Sequence, residues 1–301
     1  MKLINPKAEL LLQQPGLEGV YKQIELAGRT CYKSTDKITE DSAKPFVDRM
    51  INSKHTAMLE HGTVYLEFLY EQPVKVVHKD GTSVVYDDTK IYNTLVNKYT
   101  KNPYSKVNER YTGLGGYAVY ITTNLRVLVE NGWLDDLKYI CEPTEYHEKR
   151  YTFRLITSIG VTRELNRHRV NSIAEESTRY CNYSKDKFGS ELTFIIPNWN
   201  MDDISQSEWI NAISNAEESY LSLIEQGWKP QQAREVLPLC LKSEIIHTAF
   251  ASDWKHFFDL RYFGKTGAPH PNMVELAGLM AKEADKHGIW DELCNEQTNK
   301  A

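Results

Sequence analysis

A chain of 301 residues with 41% hydrophobic and 26% charged content has the composition of an ordinary globular protein and can bury a substantial core. Its formal net charge of −5 argues against a dedicated nucleic-acid-binding protein, which normally carries an excess of Lys and Arg. No apolar run is long enough for a membrane span or a signal peptide, and five scattered cysteines without a Cys-x-x-Cys pair indicate a cytoplasmic protein rather than a disulfide framework or a cysteine zinc site.

The first sixty residues are predicted to be mostly helical, with a helical apolar pattern over residues 43–51. A polar connection over residues 53–61 leads to residues 63–69, whose branched and aromatic side chains are typical of a strand. A second strand is predicted over residues 151–157. It leads into a short helix, residues 161–166, which ends at a cluster of Arg and His side chains.

The block from residue 71 to residue 150 separates these two strands. A hairpin is predicted from strands at 74–78 and 83–86, with its turn at Asp80-Gly81. A further strand over residues 117–122 and a helix over residues 124–131, ending near Gly132, complete the predicted elements of this block.

The last third of the chain is predicted to be strongly helical. Pro230 is placed to begin a helix, Asp253 to cap a helix over residues 254–262, and residues 271–287 form a last amphipathic helix before Gly288. Together the elements predict an α+β fold, in which an antiparallel sheet is packed with helices. An apolar stripe that ends at Gly227 comprises Trp209, Ile213, Ala216, Tyr220, Leu223 and Ile224.

Residues 167–180 read Arg-His-Arg-Val-Asn-Ser-Ile-Ala-Glu-Glu-Ser-Thr-Arg-Tyr, which combines three arginines with hydroxyl and carboxylate side chains. A guanidinium is a planar fork that binds phosphate or carboxylate through two hydrogen bonds, so this stretch favours an anionic ligand. Exposed helix faces that form weak ion pairs have a similar composition, and composition alone leaves both interpretations open.

The same stretch resembles the signature of the flavin-dependent thymidylate synthases, Arg-His-Arg-x-x-Ser-x-Asn-Glu-x-Ser-x-Arg-Tyr. The chain departs from the signature at Ala174, where the family usually has Asn. The eight matching positions among the nine fixed ones are Arg167, His168, Arg169, Ser172, Glu175, Ser177, Arg179 and Tyr180.

Shorter segments resemble the same family in the same order along the chain. Residues 55–61 resemble its flavin-contacting region, and residues 29–31 resemble an Arg-x-Ser element in which Cys31 replaces Ser. Residues 233–239 resemble an Ala-Arg-x-x-Leu-Pro segment, and residues 256–261 resemble the helix whose final Arg activates the pyrimidine. Phe250 stands where the family usually has a polar flavin contact.

Two other interpretations of residues 55–61 remain open from the residues alone. His55 and His61 are six residues apart with no evident third ligand nearby, which makes a zinc site a weak interpretation. Polar capping of the strand that follows is the structural alternative.

The resemblance implies reductive methylation of dUMP to dTMP, with 5,10-methylenetetrahydrofolate as carbon donor and NADPH as reductant through FAD. Arg261 is the implied catalytic residue, because a guanidinium facing the pyrimidine stabilises the negative charge that develops there. No metal and no cysteine nucleophile are expected. The implied FAD contacts are Cys31, His55, Arg167, His168, Arg169 and His256. The implied dUMP contacts are Glu164, Arg167, Glu175, Glu176, Ser177, Thr178, Arg179, Arg234 and Arg261.

The resemblance also implies a homotetramer with active sites at subunit interfaces, and no nucleic-acid or membrane partner. We expect residues 1–301 to form a single domain of this family with an insertion at about 71–150, whose role the sequence does not indicate. A non-catalytic flavin- or nucleotide-binding protein of the same fold is the alternative. It is kept open by Ala174, by Phe250 and by Glu164, which lies where a neutral Gln is common.

Overall fold

The computed structural model of the chain describes residues 1–71, 74–77, 81–86, 89–113, 116–185 and 191–294. The chain forms two compact units. The first unit comprises residues 1–12, 26–38 and 151–301, and the second comprises residues 13–25 and 39–150. No helix within the described ranges is both long and apolar enough to cross a membrane.

The elements of the described ranges alternate irregularly between strands and helices. The strands are, in chain order, β1 (Lys2–Ile4), β2 (Lys7–Leu11), β3 (Thr63–Glu71), β4 (Val74–Val77), β5 (Ser83–Tyr86), β6 (Lys106–Gly113), β7 (Gly116–Asn124), β8 (Arg150–Ser158), β9 (Ser172–Glu175), β10 (Thr193–Ile195) and β11 (Lys242–Phe250). The α-helices are α1 (Gly16–Cys31), α2 (Ala43–Asn52), α3 (Thr89–Thr100), α4 (Leu125–Asn131), α5 (Ile159–Leu165), α6 (Asp203–Glu225), α7 (Pro230–Ala233), α8 (Ala251–Arg261), α9 (Pro271–Lys286) and α10 (Trp290–Cys294).

A four-stranded sheet with the order β2-β8-β11-β9 forms the centre of the first unit. Strand β2 runs antiparallel to β8, and β9 runs antiparallel to β11, with Ser172 opposite Thr248 and Glu175 opposite Ile245. A separate parallel pair joins β1 to β10. The core between this sheet and helices α8 and α9 contains fully buried apolar side chains, including Phe153, Leu155, Trp254, Phe257, Phe258, Met273 and Leu276.

The second unit contains an antiparallel sheet in which β7 lies between β3 and β6. The predicted hairpin is confirmed as the antiparallel pair β4–β5, with Val74 opposite Tyr86. Gly81 has a φ of 84°, a left-handed conformation that glycine adopts without steric cost, whereas His78 and Asp80 lie outside the described residues. With its antiparallel sheets and its helices, the structure confirms the predicted α+β class.

Local capping signals determine where several helices begin and end. Helix α4 begins after Asn124, whose side chain accepts a hydrogen bond from the Val127 amide over 3.1 Å, and ends at Gly132 with a φ of 69°. Helix α9 begins at Pro271 and is followed by Gly288, also left-handed. The predicted ends of both helices are confirmed to within one residue.

Other predicted elements are wrong in detail. The first sixty residues are mostly helical, as predicted, but they also contain β1 and β2, which were not predicted. The last third contains β11, which is buried along almost its whole length and therefore lacks the alternation that identifies a half-buried strand. Helix α8 begins at Ala251 after Phe250, so Asp253 lies in its first turn and is not the cap. The helix that begins at Pro230 ends at Ala233.

Candidate active site

The C-terminal ends of helices α5 and α8 hold the guanidinium of Arg261 in one orientation. Its Nη1 donates to Glu164 Oε2 over 2.7 Å, and Nη2 donates to the Glu164 carbonyl oxygen over 3.4 Å. Its Nε donates to His168 Nε2 over 3.2 Å. The Arg261 side chain remains 19% exposed, so it is fixed by protein contacts and still accessible to a ligand.

His168 is held as a neutral imidazole that accepts from Arg261. Burial, the charge of Arg261 and the charge of His256 lower the pKa of His168 from its ordinary 6.5 to about 4. Because Nε2 accepts a hydrogen bond, the proton of the neutral ring belongs on Nδ1. The ring also contacts Phe257 edge-on, with 5.1 Å between centroids, which ties it to the core.

A cavity of about 230 Å³ lies beside Arg261, and we call it the arginine cavity. Arg167, Arg169 and His256 are exposed around it, and guanidinium groups carry hydrogen-bond donors only. An adjoining cavity of about 290 Å³ shares Arg167 and Arg261. This donor-rich lining fits the phosphates and ring carbonyl groups of FAD. The residues that line the arginine cavity are Arg167, His168, Arg169, Asn171, Asp253, His256, Leu260 and Arg261.

Asn171 contributes to the arginine cavity and was not predicted. Its amide nitrogen lies 2.9 Å from His247 Nε2 and donates to it, whereas its buried Oδ1 has no hydrogen-bond partner among the described residues. A buried acceptor beside a cavity fits an N–H donor of a bound ligand or an ordered water. The preceding residue, Val170, has a φ of 63°, a strained conformation for a β-branched side chain. The signature leaves the residue types at Val170 and Asn171 unspecified, so it could not have predicted a role for either residue.

A second group of predicted residues surrounds the turn at residues 177–181, which we call the hydroxyl turn. The Tyr180 and Cys181 amides donate to the Ser177 carbonyl oxygen, and the Arg179 amide donates to Ser177 Oγ over 3.3 Å. Arg234 Nη1 donates to Thr178 Oγ1 over 3.4 Å. Two hydroxyls and two exposed guanidinium groups therefore meet at one turn, an arrangement that suits a phosphate group.

Glu175 is the last residue of strand β9 and Glu176 follows it, and their side chains have different surroundings. Glu175 is half-buried and accepts from Ser243 Oγ over 2.8 Å. Glu176 is buried and forms an ion pair with Lys242. Next along the chain, the Ser177 amide donates to the Cys31 carbonyl oxygen over 3.0 Å, which joins the hydroxyl turn to the end of α1. The structure thus brings Cys31 to the hydroxyl turn through its backbone.

The remaining predicted positions differ in their settings. His55 is exposed and precedes a short 3-10 helix, Thr56–His61, in the second unit. Phe250 and Ala174 are buried, 3% and 1% exposed, and neither has a polar side chain to offer a ligand. Within the described part of the chain, no group of three or more His, Cys, Asp or Glu side chains is placed to hold a metal ion.

The site residues of the first unit therefore form two groups, at opposite ends of strand β9. The arginine cavity precedes the strand, and the hydroxyl turn follows it. Four residues in extended conformation place the two groups roughly 13 Å apart.

Comparison with known proteins relates the chain to one family. The family described as thymidylate synthase complementing protein matches residues 143–287, which include both groups of site residues. The flavin-dependent thymidylate synthase of Pyrococcus furiosus is 32% identical over 56% of this chain and 69% of its own length. That of Pyrococcus abyssi is 33% identical over 33% of this chain and 41% of its own length, so the chain covers less than half of this relative.

Solved structures of the UMP/dUMP methylase PolB from Streptomyces cacaoi also align with the chain. The structure bound with 5-Br UMP has a TM-score of 0.46 and 16% identity, and the alignment covers 97% of this chain and 95% of that one. The structure bound with 5-Br dUMP has a TM-score of 0.43 and 17% identity, with 95% and 93% covered. On the match of residues 143–287 and the identity to the Pyrococcus furiosus protein, the chain belongs to the flavin-dependent thymidylate synthase family.

Proposed function

We propose that this protein converts dUMP to dTMP by reductive methylation, with 5,10-methylenetetrahydrofolate as carbon donor and NADPH as reductant. The observation that carries the proposal is the fixed guanidinium of Arg261, which Glu164 and His168 hold at the edge of the arginine cavity. A guanidinium in this setting stabilises negative charge on a pyrimidine ring without reorganising during the reaction.

Arg167, Arg169 and His256 would hold FAD, with His168, Cys31 and His55 as its further contacts. When bound, FAD supplies the redox chemistry that joins NADPH oxidation to reduction of the transferred carbon. Arg167 and Arg169 would offset its negative charge, and Asn171 Oδ1 would accept a hydrogen bond from an N–H donor of the cofactor. His168 orients Arg261 and does not act as an acid near neutral pH, since its pKa is about 4.

The dUMP phosphate would bind at the hydroxyl turn. Ser177, Thr178, Arg179 and Arg234 supply hydroxyl and guanidinium donors there. Glu175 and the hydroxyl turn would hold one end of the nucleotide, while Glu164, Arg167 and Arg261 would face its pyrimidine. Burial raises the pKa of Cys31 to about 11, so its thiol is protonated at neutral pH and is not an activated nucleophile.

We further infer that the enzyme is a homotetramer whose active sites combine residues of different copies. The separation of the arginine cavity from the hydroxyl turn by the length of β9 supports this assembly, because each group alone presents an incomplete set of donors to a nucleotide. We also propose a cytoplasmic location, which five scattered cysteines without a Cys-x-x-Cys pair support. Residues 1–301 would then act as one family domain with an insertion at about 71–150, a block that lies wholly within the second compact unit.

Anaerobic reduction of the FAD-loaded protein tests the proposal. With dUMP present, NADPH should bleach the flavin absorbance, and subsequent addition of methylenetetrahydrofolate should produce dTMP. A protein that binds FAD and dUMP but forms no dTMP would instead be the non-catalytic flavin- and nucleotide-binding protein that Ala174 and Phe250 leave open as an alternative.

A further inference from the structure

A buried network of charged side chains lies directly beneath the hydroxyl turn. Glu176 accepts a hydrogen bond from Lys242 Nζ and lies 3.5 Å from Lys33 Nζ. Glu244 accepts from Lys33 Nζ, and from Arg154 Nε over 2.7 Å. The side chains of Glu176 and Glu244 are 1% and 3% exposed, so the two carboxylates are removed from water, whereas Lys33 and Arg154 remain 29% and 36% exposed. We call these five side chains the buried charge network.

The carboxylate of Glu176 points into the protein. One oxygen is bonded to Lys242, and the other accepts from the Tyr183 hydroxyl over 3.4 Å. The Glu176 amide donates to the Glu244 carbonyl oxygen over 2.8 Å. Neither carboxylate oxygen is left on the surface for a nucleotide, although the sequence resemblance places Glu176 among the dUMP contacts.

Three separate elements contribute cations to the buried charge network. Lys33 follows helix α1 with a φ of 49°, Lys242 begins strand β11, and Arg154 lies on strand β8. Burial lowers the pKa of Lys33, but the charges of Glu176 and Glu244 outweigh that effect and raise it overall. Burial disfavours the charge of Glu244 too, yet Lys33 and Lys242 bring its pKa down to about 2. Lys33 and Glu244 are therefore ionised at neutral pH, whereas burial lowers the pKa of Lys242 in spite of the charge of Glu176.

We propose that Glu176 is a positioning residue, which fixes the hydroxyl turn through its ion pairs with Lys33 and Lys242 and does not itself contact the nucleotide. The residue after it, Ser177, supplies the first hydroxyl of the turn, so a shift of Glu176 moves the phosphate donors. This inference rests on the proposed function in assigning dUMP to the turn.

A charge-balanced double variant separates a positioning role from a direct contact. Glu176→Gln removes the nearer counter-charge of buried Lys242 and leaves it Glu244, 3.6 Å away, which also pairs with Lys33 and Arg154. Glu176→Leu combined with Lys242→Met instead replaces the pair by apolar side chains of similar volume. In the double variant, Lys33 and Arg154 still have Glu244 as a partner. The FAD-loaded full-length proteins would be compared for dUMP binding by calorimetry, for KM and kcat, and for thermal unfolding.

Glu176→Gln should weaken dUMP binding by about tenfold and raise KM similarly, while kcat at saturating dUMP changes by less than about threefold. The double variant should recover dUMP affinity to within about threefold of the natural protein. Deoxyuridine, which lacks the phosphate, should bind all three proteins equally. A folded double variant that binds dUMP as weakly as Glu176→Gln would overturn the inference, because the carboxylate itself would then be the missing contact.

Tryptic cleavage after Arg179 measures order in the turn without any substrate. Arg179 is exposed in the hydroxyl turn, and cleavage there should accelerate by about tenfold in Glu176→Gln and return towards the natural rate in the double variant. Equal cleavage rates in all proteins would also overturn the inference. If the natural protein does not bind dUMP, the proposed function fails while the cleavage rates still decide the positioning role.

Asp48→Asn, which breaks an exposed pair with Lys44, is the control and should leave each measurement unchanged.

Discussion

Arg261 owes its orientation to two different kinds of partner. Glu164 accepts from Nη1 at 2.7 Å as a charged partner, and His168 accepts from Nε as a neutral one. Glu164 offsets the charge of Arg261, but Arg163 and Arg167 line the same adjoining cavity, so its lining keeps an excess of positive charge. The Arg261 guanidinium therefore keeps its planar fork geometry, and it is surrounded by positive charge where a pyrimidine would bind.

Arg261→Ala should lower turnover by about a thousandfold, equivalent to about 4 kcal/mol, since it removes a donor that stabilises developing charge. Steady-state dTMP formation measures the effect. FAD binding, followed by the flavin absorbance, should persist because Arg167 and Arg169 remain. Arg261→Lys should recover little activity, since an ammonium cannot contact Glu164 and His168 as a planar fork does. Turnover near the natural value in Arg261→Ala would remove this residue from the mechanism.

His168 makes the stability of the protein depend on pH in the acidic range. Its folded-state pKa is about 4 against an ordinary 6.5, so between these values the unfolded chain binds more protons than the folded one. The contribution of a neutral His168 is thus complete above pH 6.5 and is lost as the pH falls towards 4.

We expect His168→Gln to reduce this acid-induced loss of stability by about 2 kcal/mol, a value discounted for partial contact with solvent. Glutamine keeps an acceptor for Arg261 but does not titrate. Urea unfolding at pH 7 and at pH 4.5 checks the difference between the two proteins. An identical pH dependence in both would mean that His168 is protonated alike in the folded and unfolded states.

At the scale of the element, the loop between α5 and β9 stores strain in Val170. Its φ of 63° places a β-branched side chain in the left-handed region, between Arg169 and Asn171, which both line the arginine cavity. Strain of this kind persists where surrounding contacts fix the backbone, and it concentrates at functional sites. The conformation of Val170 therefore lowers the stability of the loop, and it places Arg169 and Asn171 at the arginine cavity.

Val170→Gly should keep or raise the free energy of unfolding by up to about 1 kcal/mol, because glycine adopts a positive φ without a clash. Val236→Gly is a matched control, since the two valines are 41% and 37% exposed and Val236 lies in a 3-10 helix. Val236→Gly should lower the free energy of unfolding by about 1 kcal/mol, because glycine is unfavourable in a helical conformation that other residues adopt freely. Denaturant titration of both variants measures the contrast. Equal destabilisation would show that Val170 is not strained.

The elements that the sequence predicted correctly carry local signals. Asn124 and Gly132 delimit α4, and Pro271 and Gly288 delimit α9, because caps act through adjacent residues. Strand β11 was missed because its burial on both faces depends on neighbours distant in sequence. In the same way, the signature predicted Arg167, His168 and Arg169 as site residues. The inward direction of Glu176 was not predicted, because it depends on Lys33 and Lys242, which are distant from it in sequence.

At the scale of the whole molecule, the two groups of site residues predict that activity depends on assembly. If one copy supplies Arg261 and another supplies Arg234 to the same site, two inactive variants should complement each other. Mixing Arg261→Ala with Arg234→Ala protein under conditions that exchange subunits should restore about a quarter of the natural activity, the share of sites that receive both arginines at random.

Activity of the mixture relative to each variant alone is the measurement, and the molecular mass in solution confirms exchange. Each variant unmixed is its own control. A mixture with no more activity than the mean of its components, despite complete exchange, would mean that each site is built within one copy of the chain.

The four residues of β9 also set the separation between the arginine cavity and the hydroxyl turn. Because successive residues of a strand face opposite sides, one inserted or deleted residue would reverse every position beyond it and would turn Glu176 away from Lys242. Substitutions within the strand can be absorbed by repacking, but a change of length cannot. Relatives that keep this chemistry should therefore vary here in residue type while holding the number of residues between Arg169 and Ser177 constant.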